Sequence, residues 1–169
     1  MDLKIRKGTV EDTENLILLL KEIREGMDHP EWFYLDPPED VRRMMSDGTM
    51  QLWVAMDGNR MVAAVDYLIP GKQEFNYGYD LGFSEEMLQR VINMDNAAVR
   101  PEYRGHGLQR ILMREAEQSL YGTGEKVLLC TIHPENCFSL QNALKEGYEI
   151  QKKLPKYGTV RYILRKNIS

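Results

Sequence analysis

Apolar residues recur along the chain at two spacings, which together predict alternating strands and helices. Leu16, Leu20 and Ile23 fall on one helical face and predict the first helix, since residues three or four positions apart share a face. Shorter apolar runs bounded by turn residues predict strands. The predicted strands are 3–6, 50–56, 61–69, 92–99, 126–132, 148–153 and 160–165. Hairpins near both ends and one strand–helix–strand crossover between them indicate a mixed α/β fold.

A glycine-containing turn connects the strand 92–99 to the amphipathic helix that begins at Leu108. Such a turn points backbone N–H groups towards one spot, where the positive end of the helix dipole adds its field. Gly105 and Gly107 lack a Cβ, so a phosphate can approach the backbone closely. The turn has neither the Gly-Lys-Ser/Thr of a Walker loop nor the third glycine of a dinucleotide fingerprint. We expect it to bind a phosphate-bearing ligand, with an ordinary strand–helix connection as the alternative.

Two segments carry a resemblance to a known family. The run Arg104-x-x-Gly107-x-Gln109 resembles the acetyl-CoA loop of the GCN5-related N-acetyltransferases (GNAT), whose usual pattern is Gln/Arg-x-x-Gly-x-Gly/Ala. Gln109 stands where that pattern has a small residue. The segment 136–148 resembles the later family motif, in which an Asn opens a helix that ends in Gly-Phe or Gly-Tyr. Both motifs stand in the family's order, and the similarity extends over nearly the whole chain.

The resemblance implies one domain over residues 1–169 with a GNAT-like fold. That fold is a mixed, mostly antiparallel sheet of about six to seven strands, flanked by helices, with a splayed pair of central strands. The implied activity is direct transfer of an acetyl group from acetyl-CoA to a primary amine in a ternary complex. One alternative is acetylation of a protein N-terminus or lysine. Another is a non-catalytic acyl-CoA-binding module, because Ala143 replaces the tyrosine that often protonates the leaving thiolate.

The implied cofactor contacts divide among three segments. The turn amides hold the diphosphate, and the backbone of residues 97–99 binds pantetheine as an added strand would. Asn136 matches the residue whose amide contacts pantetheine, with a helix N-cap as its alternative role. The predicted cofactor-binding residues are Ala97, Ala98, Val99, Arg104, Gly105, His106, Gly107, Leu108, Gln109 and Asn136.

The predicted catalytic residues are Asp95 and Ser139. Asp95 is a carboxylate inside a strand, which is unusual unless it is paired or functional, so it is our first candidate for the general base. Ser139, or a water molecule, is the candidate that replaces the missing tyrosine. Asp66 and Glu85 are weaker candidates for the base, with a solvated surface as their alternative. His133 is more simply structural.

Aromatic residues in two loops predict the acceptor pocket. The family builds this pocket from the first helices and the loop after the third strand, which here contain Tyr34, Tyr79 and Asp80. Aromatic walls with one carboxylate suit an amine that carries an apolar body. Packing within a loop or an interface is the alternative for each ring.

Composition and charge narrow the classes of function. Hydrophobic residues make up 43% of the chain and charged residues 28%, as in ordinary globular domains. No apolar run reaches membrane-spanning length, and no secretory signal is visible, so we expect a cytoplasmic protein. The net charge of −4 argues against nucleic acid as a partner. Cys130 and Cys137 lack a metal-binding spacing. The expected partners are a small amine or a peptide, with the protein a monomer or homodimer.

Overall fold

The computed structural model describes residues 2–169, which form two compact units. The first unit combines the chain up to Tyr67 with Asn96–Ser119. The second unit combines Leu68–Asp95 with Leu120–Ser169.

Strands and helices occur in the order that the apolar pattern predicts. The strands are β1 (Leu3–Lys7), β2 (Met50–Asp57), β3 (Arg60–Leu68), β4 (Val91–Val99), β5 (Lys126–Ile132), β6 (Glu149–Lys156) and β7 (Thr159–Ile168). The helices are α1 (Thr13–Glu25), α2 (Pro38–Asp47), α3 (Glu85–Leu88), α4 (Leu108–Gln118) and α5 (Cys137–Lys145). A short 3₁₀ helix, Tyr77–Leu81, lies within the long loop between β3 and α3.

The strands form one seven-stranded sheet with the order β1-β2-β3-β4-β5-β7-β6. Antiparallel ladders join β1 to β2, β5 to β7 and β6 to β7. β4 and β5 form a parallel ladder that extends only from Val91–Asn93 to Val127–Leu129. Because β4 continues to Val99 without further pairing to β5, the predicted splayed pair of central strands is confirmed.

In the first unit, α1 contributes an apolar face to the core. Leu16, Leu20 and Ile23 are buried as predicted. The turn before the helix is fixed by Asp12, whose carboxylate accepts the Thr9 N–H at 2.8 Å and two guanidinium bonds from Arg6 at 2.8 Å each. These hydrogen bonds hold the pKa of Asp12 below its ordinary value.

The second unit has a core beneath the 3₁₀ helix. Tyr77 packs with buried apolar residues of β4, β5 and β7, and the cluster also includes half-buried Leu154 and Tyr157. Asn76 fixes the start of the 3₁₀ helix: its side-chain oxygen accepts the Gly78 N–H at 2.7 Å. Its side-chain nitrogen donates to two carbonyls of the same unit. Tyr77 is therefore held in place from both its backbone and its ring.

Three details differ from the sequence-based expectation. The apolar spacing from Leu108 to Tyr121 predicts that Ile111 lies on the buried face of α4, but 42% of it is exposed, whereas Leu108, Leu112 and Ala116 are buried. The helix ends at Gln118, before Tyr121, where the apolar pattern predicts its end. The last two strands are longer than predicted, because the antiparallel ladder continues until only Tyr157 and Gly158 remain in the turn.

Residues 2–169 contain neither a membrane-spanning helix nor a cluster of metal-binding side chains. Among the helices of this part of the chain, none has the length and apolarity that a membrane crossing requires. Within the same residues, no group of three or more His, Cys, Asp or Glu side chains is arranged to hold a metal ion.

Candidate functional site

The predicted phosphate loop lies at the start of α4. Gly105 and Gly107 adopt positive φ values of 85° and 72°, which side chains disfavour and glycine tolerates. Gly107 is the N-cap residue of α4, and its carbonyl accepts the Ile111 N–H at 3.0 Å. The loop thus turns the chain sharply into the helix, as the sequence predicts.

Five consecutive amides of this loop lack an internal partner. Among residues 2–169, no group accepts a hydrogen bond from the backbone N–H of any residue from Gly105 to Gln109. Gly105, His106 and Gly107 are exposed, so their amides are accessible to a ligand, and the row lies at the positive end of the α4 dipole. The arrangement suits a ligand with several anionic oxygens, which is what a diphosphate supplies.

Neighbouring side chains hold the loop in place within the first unit. The Tyr103 hydroxyl donates to Asp57 at 2.5 Å, and Arg60 pairs with Glu102 at 2.8 Å. Arg104 is exposed, and its Nε donates to the carbonyl of Val99 at 3.3 Å. The loop is therefore tied both to the β2–β3 hairpin and to the end of β4.

A cavity of about 440 Å³ opens beside these anchors in the first unit. It is lined by Asn15, Leu18, Asp57, Asn59, Arg60, Met61 and Arg100. None of the residues predicted for the site lines this cavity.

The three β4 residues assigned to pantetheine alternate in burial. Ala98 is 3% exposed, whereas Ala97 and Val99 are half-buried. The alternation follows from the two-residue period of a strand. Their backbone groups lie beyond the short ladder between β4 and β5.

Asp95, the candidate base, is half-buried near the end of the second unit's part of β4. It shares a strand face with Asn93, whose side chain contacts the backbone of Phe75 and Tyr77. Burial raises the pKa of Tyr77, and the negative charge of Asp95 adds to that shift. Burial lowers the pKa of Arg161, and the charge of Asp95 offsets part of that shift. Asp95 therefore faces a polar cluster beneath the 3₁₀ helix.

The start of α5 places the second motif in the second unit. The Asn136 side-chain oxygen accepts the Ser139 N–H at 3.4 Å, so Asn136 caps the helix. No residue in the described range 2–169 accepts from the Asn136 side-chain nitrogen, which leaves it able to donate to a ligand. Ser139 is half-buried in the first turn. Ala143 is 3% exposed, so the usual tyrosine position is filled by core packing.

The structure gives His133 a local hydrogen bond and shows how far each of the two cysteines is exposed. The His133 Nδ1 accepts the Glu135 N–H at 3.1 Å in the turn before α5. Cys137 is exposed at the first residue of the helix, and Cys130 is half-buried on β5.

The acceptor candidates already make contacts of their own. Tyr34 is 42% exposed and Tyr79 is 47% exposed. The Tyr79 hydroxyl donates to the carbonyl of Lys72 at 2.7 Å. Asp80 accepts from the Lys156 ammonium at 2.8 Å, so it is part of an ion pair.

Asp66, a weaker candidate for the base with a solvated surface as its alternative, is fully buried on β3. Its two carboxylate oxygens accept from the Asn96 backbone N–H at 3.2 Å and from the Asn96 side chain at 2.9 Å. Burial, aided by the nearby charge of Asp36, raises the pKa of Asp66 to about 7. The alternative of a solvated surface is therefore wrong for Asp66.

Comparisons with known proteins agree with this architecture. The sequence pattern of the family described as "Acetyltransferase (GNAT) family" matches residues 18–148. A search of curated proteins gives no significant match.

Solved structures share the fold at low sequence identity. A GNAT acetyltransferase from Streptococcus pneumoniae is 16% identical with a TM-score of 0.74, covering 99% of this chain and 100% of its own. The PaiA N-acetyltransferase from Thermoplasma acidophilum, in complex with coenzyme A, is 16% identical with a TM-score of 0.66, covering 98% and 99%. The ribosomal-protein-alanine N-acetyltransferase from Brucella melitensis is 20% identical with a TM-score of 0.67, covering 96% and 98%.

The family match spans the strand, glycine turn and helix that present the five amides, together with the Asn136 motif. It confirms the family that these segments indicated. The chain belongs to the GNAT family of acetyl-CoA-dependent acetyltransferases.

Proposed function

We propose that this enzyme transfers the acetyl group of acetyl-CoA directly to a primary amine within a ternary complex. The observation that supports this most strongly is the row of amides from Gly105 to Gln109, which have no acceptor among residues 2–169. A diphosphate supplies the oxygens that these donors and the helix dipole favour.

The other cofactor contacts follow from the family pattern. The backbone of residues 97–99 is assigned to the pantetheine arm, and one of its N–H groups is assigned to the thioester oxygen. A preorganised donor of this type is worth roughly 3–4 kcal/mol in the transition state. The Asn136 side-chain nitrogen supports a second amide contact, since helix capping uses only the oxygen.

Asp95 is proposed to accept the proton of the attacking amine, directly or through one water molecule. Its half-buried position on β4, two residues before Ala97, supports this role. Ser139 remains a prediction as a donor to the leaving thiolate.

The acceptor is proposed to be a small amine with an apolar body. Tyr34 and Tyr79 are exposed aromatic side chains that suit such a body. A peptide N-terminus is the second candidate, supported by a structural relative named for the alanine of a ribosomal protein.

Steady-state release of CoA, measured with a panel of small amines and with short peptides, tests the proposal. Direct transfer predicts intersecting initial-velocity lines, whereas parallel lines would indicate a covalent acetyl-enzyme. The Cys137→Ser variant checks that route directly, because Cys137 is an exposed thiol at a helix start. Absence of acetylation with every amine and peptide would overturn the proposed function.

The Asp95→Asn variant tests the base. It keeps the shape of the side chain and removes its basicity, so the turnover number should fall roughly 100-fold or more. CoA affinity, measured by calorimetry, should stay near the wild-type value. Asp28→Asn, at an exposed position, is the matched control. Full activity of Asp95→Asn across the pH range would exclude Asp95 as the base.

A further inference from the structure

Asp66 and Asn96 form a buried polar pair in the first unit that the roles above do not use. Asp66 is 0% exposed on β3, and Asn96 is 5% exposed on β4, the neighbouring strand of the sheet. The two oxygens of Asp66 accept separately: Oδ1 from the Asn96 backbone N–H at 3.2 Å, and Oδ2 from the Asn96 side-chain nitrogen at 2.9 Å. The backbone and the side chain of Asn96 are therefore both held by one carboxyl group.

The hydrogen bond from the Asn96 backbone ties the course of β4 to a side chain. Within a sheet, a backbone N–H ordinarily donates to a carbonyl of the neighbouring strand. The Arg100 N–H does so just beyond the end of β4, where it donates to the Val62 carbonyl at 2.9 Å. At Asn96, a side-chain oxygen of β3 accepts the N–H. The backbone of β4 at Asn96 therefore depends on the chemical state of Asp66.

Asn96 immediately precedes the strand residues assigned to pantetheine. Residues 97–99 continue β4 from Asn96, and they belong to the first unit together with Asp66 and the glycine turn before α4. A ligand that binds as an added strand gains affinity from main-chain hydrogen bonds. Such bonds form at lower entropic cost when the backbone is already fixed in the bound conformation. Holding Asn96 in place therefore prepares the next residues of β4 for the ligand.

The protonation state of Asp66 decides how well it holds Asn96. A carboxylate accepts at both oxygens, whereas a protonated carboxyl has one oxygen that carries a hydrogen and donates it. Because both oxygens face N–H groups, protonation places a donor opposite a donor.

Opposing effects bring the two forms of Asp66 close in free energy near neutral pH. Burial favours the protonated form, as does the charge of Asp36, which lies in the segment before α2. The hydrogen bonds from Asn96 favour the ionised form. Burial is the largest effect, and the pKa of Asp66 rises to about 7. A ligand that needs Asn96 in its held position can therefore shift the balance between the two forms.

We propose that Asp66 is a positioning residue for the cofactor: its ionised carboxylate fixes Asn96 and thereby the β4 backbone that binds pantetheine. This rests on the proposed function, which assigns residues 97–99 to the pantetheine arm. Asp66 is 0% exposed, so it acts on the ligand through Asn96. Because binding favours the ionised carboxylate, the cofactor expels the Asp66 proton to solvent when it binds at a pH where the free enzyme holds that proton.

Calorimetric titration of wild type and Asp66→Asn with dephospho-CoA tests the proposal. This probe keeps the diphosphate and the pantetheine arm but lacks the 3′-phosphate, which itself titrates near pH 6. The asparagine mimics the protonated carboxyl, since its side chain has one accepting and one donating end. The ratio of wild-type to variant affinity should rise about tenfold from about pH 5 to about pH 8, roughly the worth of one hydrogen bond to a charged group.

Proton release gives a readout that a purely structural role would not move. Titrations in buffers of different ionisation enthalpy count the protons released on binding. Near pH 6.5, wild type should release about half a proton more per ligand than Asp66→Asn, since a tenfold coupling lowers the pKa from about 7 by about one unit. Taking the difference between the two proteins removes the contribution of His106, the titratable side chain of the glycine turn.

Asp12→Asn is the matched control, because Asp12 is another buried carboxylate of the first unit and its pKa lies below the ordinary value. This variant should lose stability and keep the proton release of wild type. If Asp66→Asn does not fold, Asn96→Ala takes its place in both comparisons, since it removes one of the two donors that face Asp66.

Two outcomes would overturn the positioning role of Asp66. One is a ratio of wild-type to variant affinity that stays constant from about pH 5 to about pH 8. The other is equal proton release by wild type and the variant. A wild type that binds no dephospho-CoA at any pH would instead refute the proposed function.

Discussion

At the scale of single residues, Asp66 shows how burial changes a carboxyl group. It is 0% exposed, and its oxygens accept two hydrogen bonds from Asn96. These bonds favour the ionised form and lower its pKa, but burial is the larger effect and raises it to about 7. The carboxyl is therefore protonated in the folded state over a pH range in which an exposed aspartate is ionised.

This shift predicts a pH-dependent stability. Between pH 3.8 and about 7, the folded protein holds the Asp66 proton that the unfolded chain releases. The stabilisation is fully present below that window and is lost as the pH rises through it, by up to about 1.4 kcal/mol per pH unit. Urea unfolding of wild type and Asp66→Asn across the window measures the effect, which should be absent from the variant.

An exposed carboxylate provides the control for this experiment. Asp28→Asn should leave the slope of unfolding free energy against pH unchanged. A difference in stability between wild type and Asp66→Asn that stays constant from one end of the window to the other would contradict the assignment.

The sequence could not separate Asp66 from Asp95, because both stand inside apolar strands. Burial of Asp66 depends on Asn96, thirty positions away and on another strand. Likewise, the hydroxyl oxygens of Tyr77 and Tyr157 lie 3.0 Å apart, although the two residues are eighty positions apart in the sequence.

At the scale of elements, the loop before α4 gives a sharp test of cofactor binding. A Cβ at Gly107 would meet no atom within 4 Å, so a side chain disturbs only the backbone, which has a φ of +72°. In the complex, the same side chain would lie where a diphosphate contacts the amides. Gly107→Val should therefore weaken CoA binding at least about tenfold, since hydrogen bonds to charged groups are worth about 1.5–3 kcal/mol each.

Gly122→Val separates backbone strain from ligand contact. Gly122 has a similar φ of +79° and equally open space around its Cβ position. Both variants should lose a similar amount of thermal stability, and only Gly107→Val should lose affinity in calorimetric titration with CoA. Equal affinity in the two variants would show that the loop does not hold the cofactor.

The apolar pattern predicted the bounds of a strand well where the burial of the strand's own side chains sets those bounds. β5 has the predicted bounds, since its apolar run is flanked by turn residues on both sides. β6 and β7 extend further than predicted because ladder pairing, which does not require apolar residues, continues through the exposed positions of β6. Ile111 was misplaced because helical periodicity cannot show how far the covered face extends.

At the scale of the whole molecule, the local apolar pattern does not give the order of the strands in the sheet. Periodicity identifies a strand but carries no information on its neighbour, and here β7 lies between β5 and β6. The short β4–β5 ladder likewise has no local sequence signal. The glycine turn before α4 was predictable because its sequence signal lies in one contiguous stretch, whereas the core beneath the 3₁₀ helix joins Tyr77 to residues of three separate strands, Val91, Val127, Leu129 and Ile163.

Binding of the cofactor should stabilise the entire fold by mass action. A ligand at about 100 times its dissociation constant adds about 2.7 kcal/mol to the free energy of unfolding. For a chain of this size, that corresponds to a rise in melting temperature of roughly 5–10 °C.

Thermal melts with CoA, with 3′,5′-ADP and with pantetheine divide the effect among parts of the ligand. If the amides from Gly105 to Gln109 hold the diphosphate, CoA should stabilise wild type strongly and pantetheine weakly. Gly107→Val should lose most of the CoA effect and keep the response to pantetheine. An equal CoA-induced rise in wild type and Gly107→Val would mean that the diphosphate is bound elsewhere.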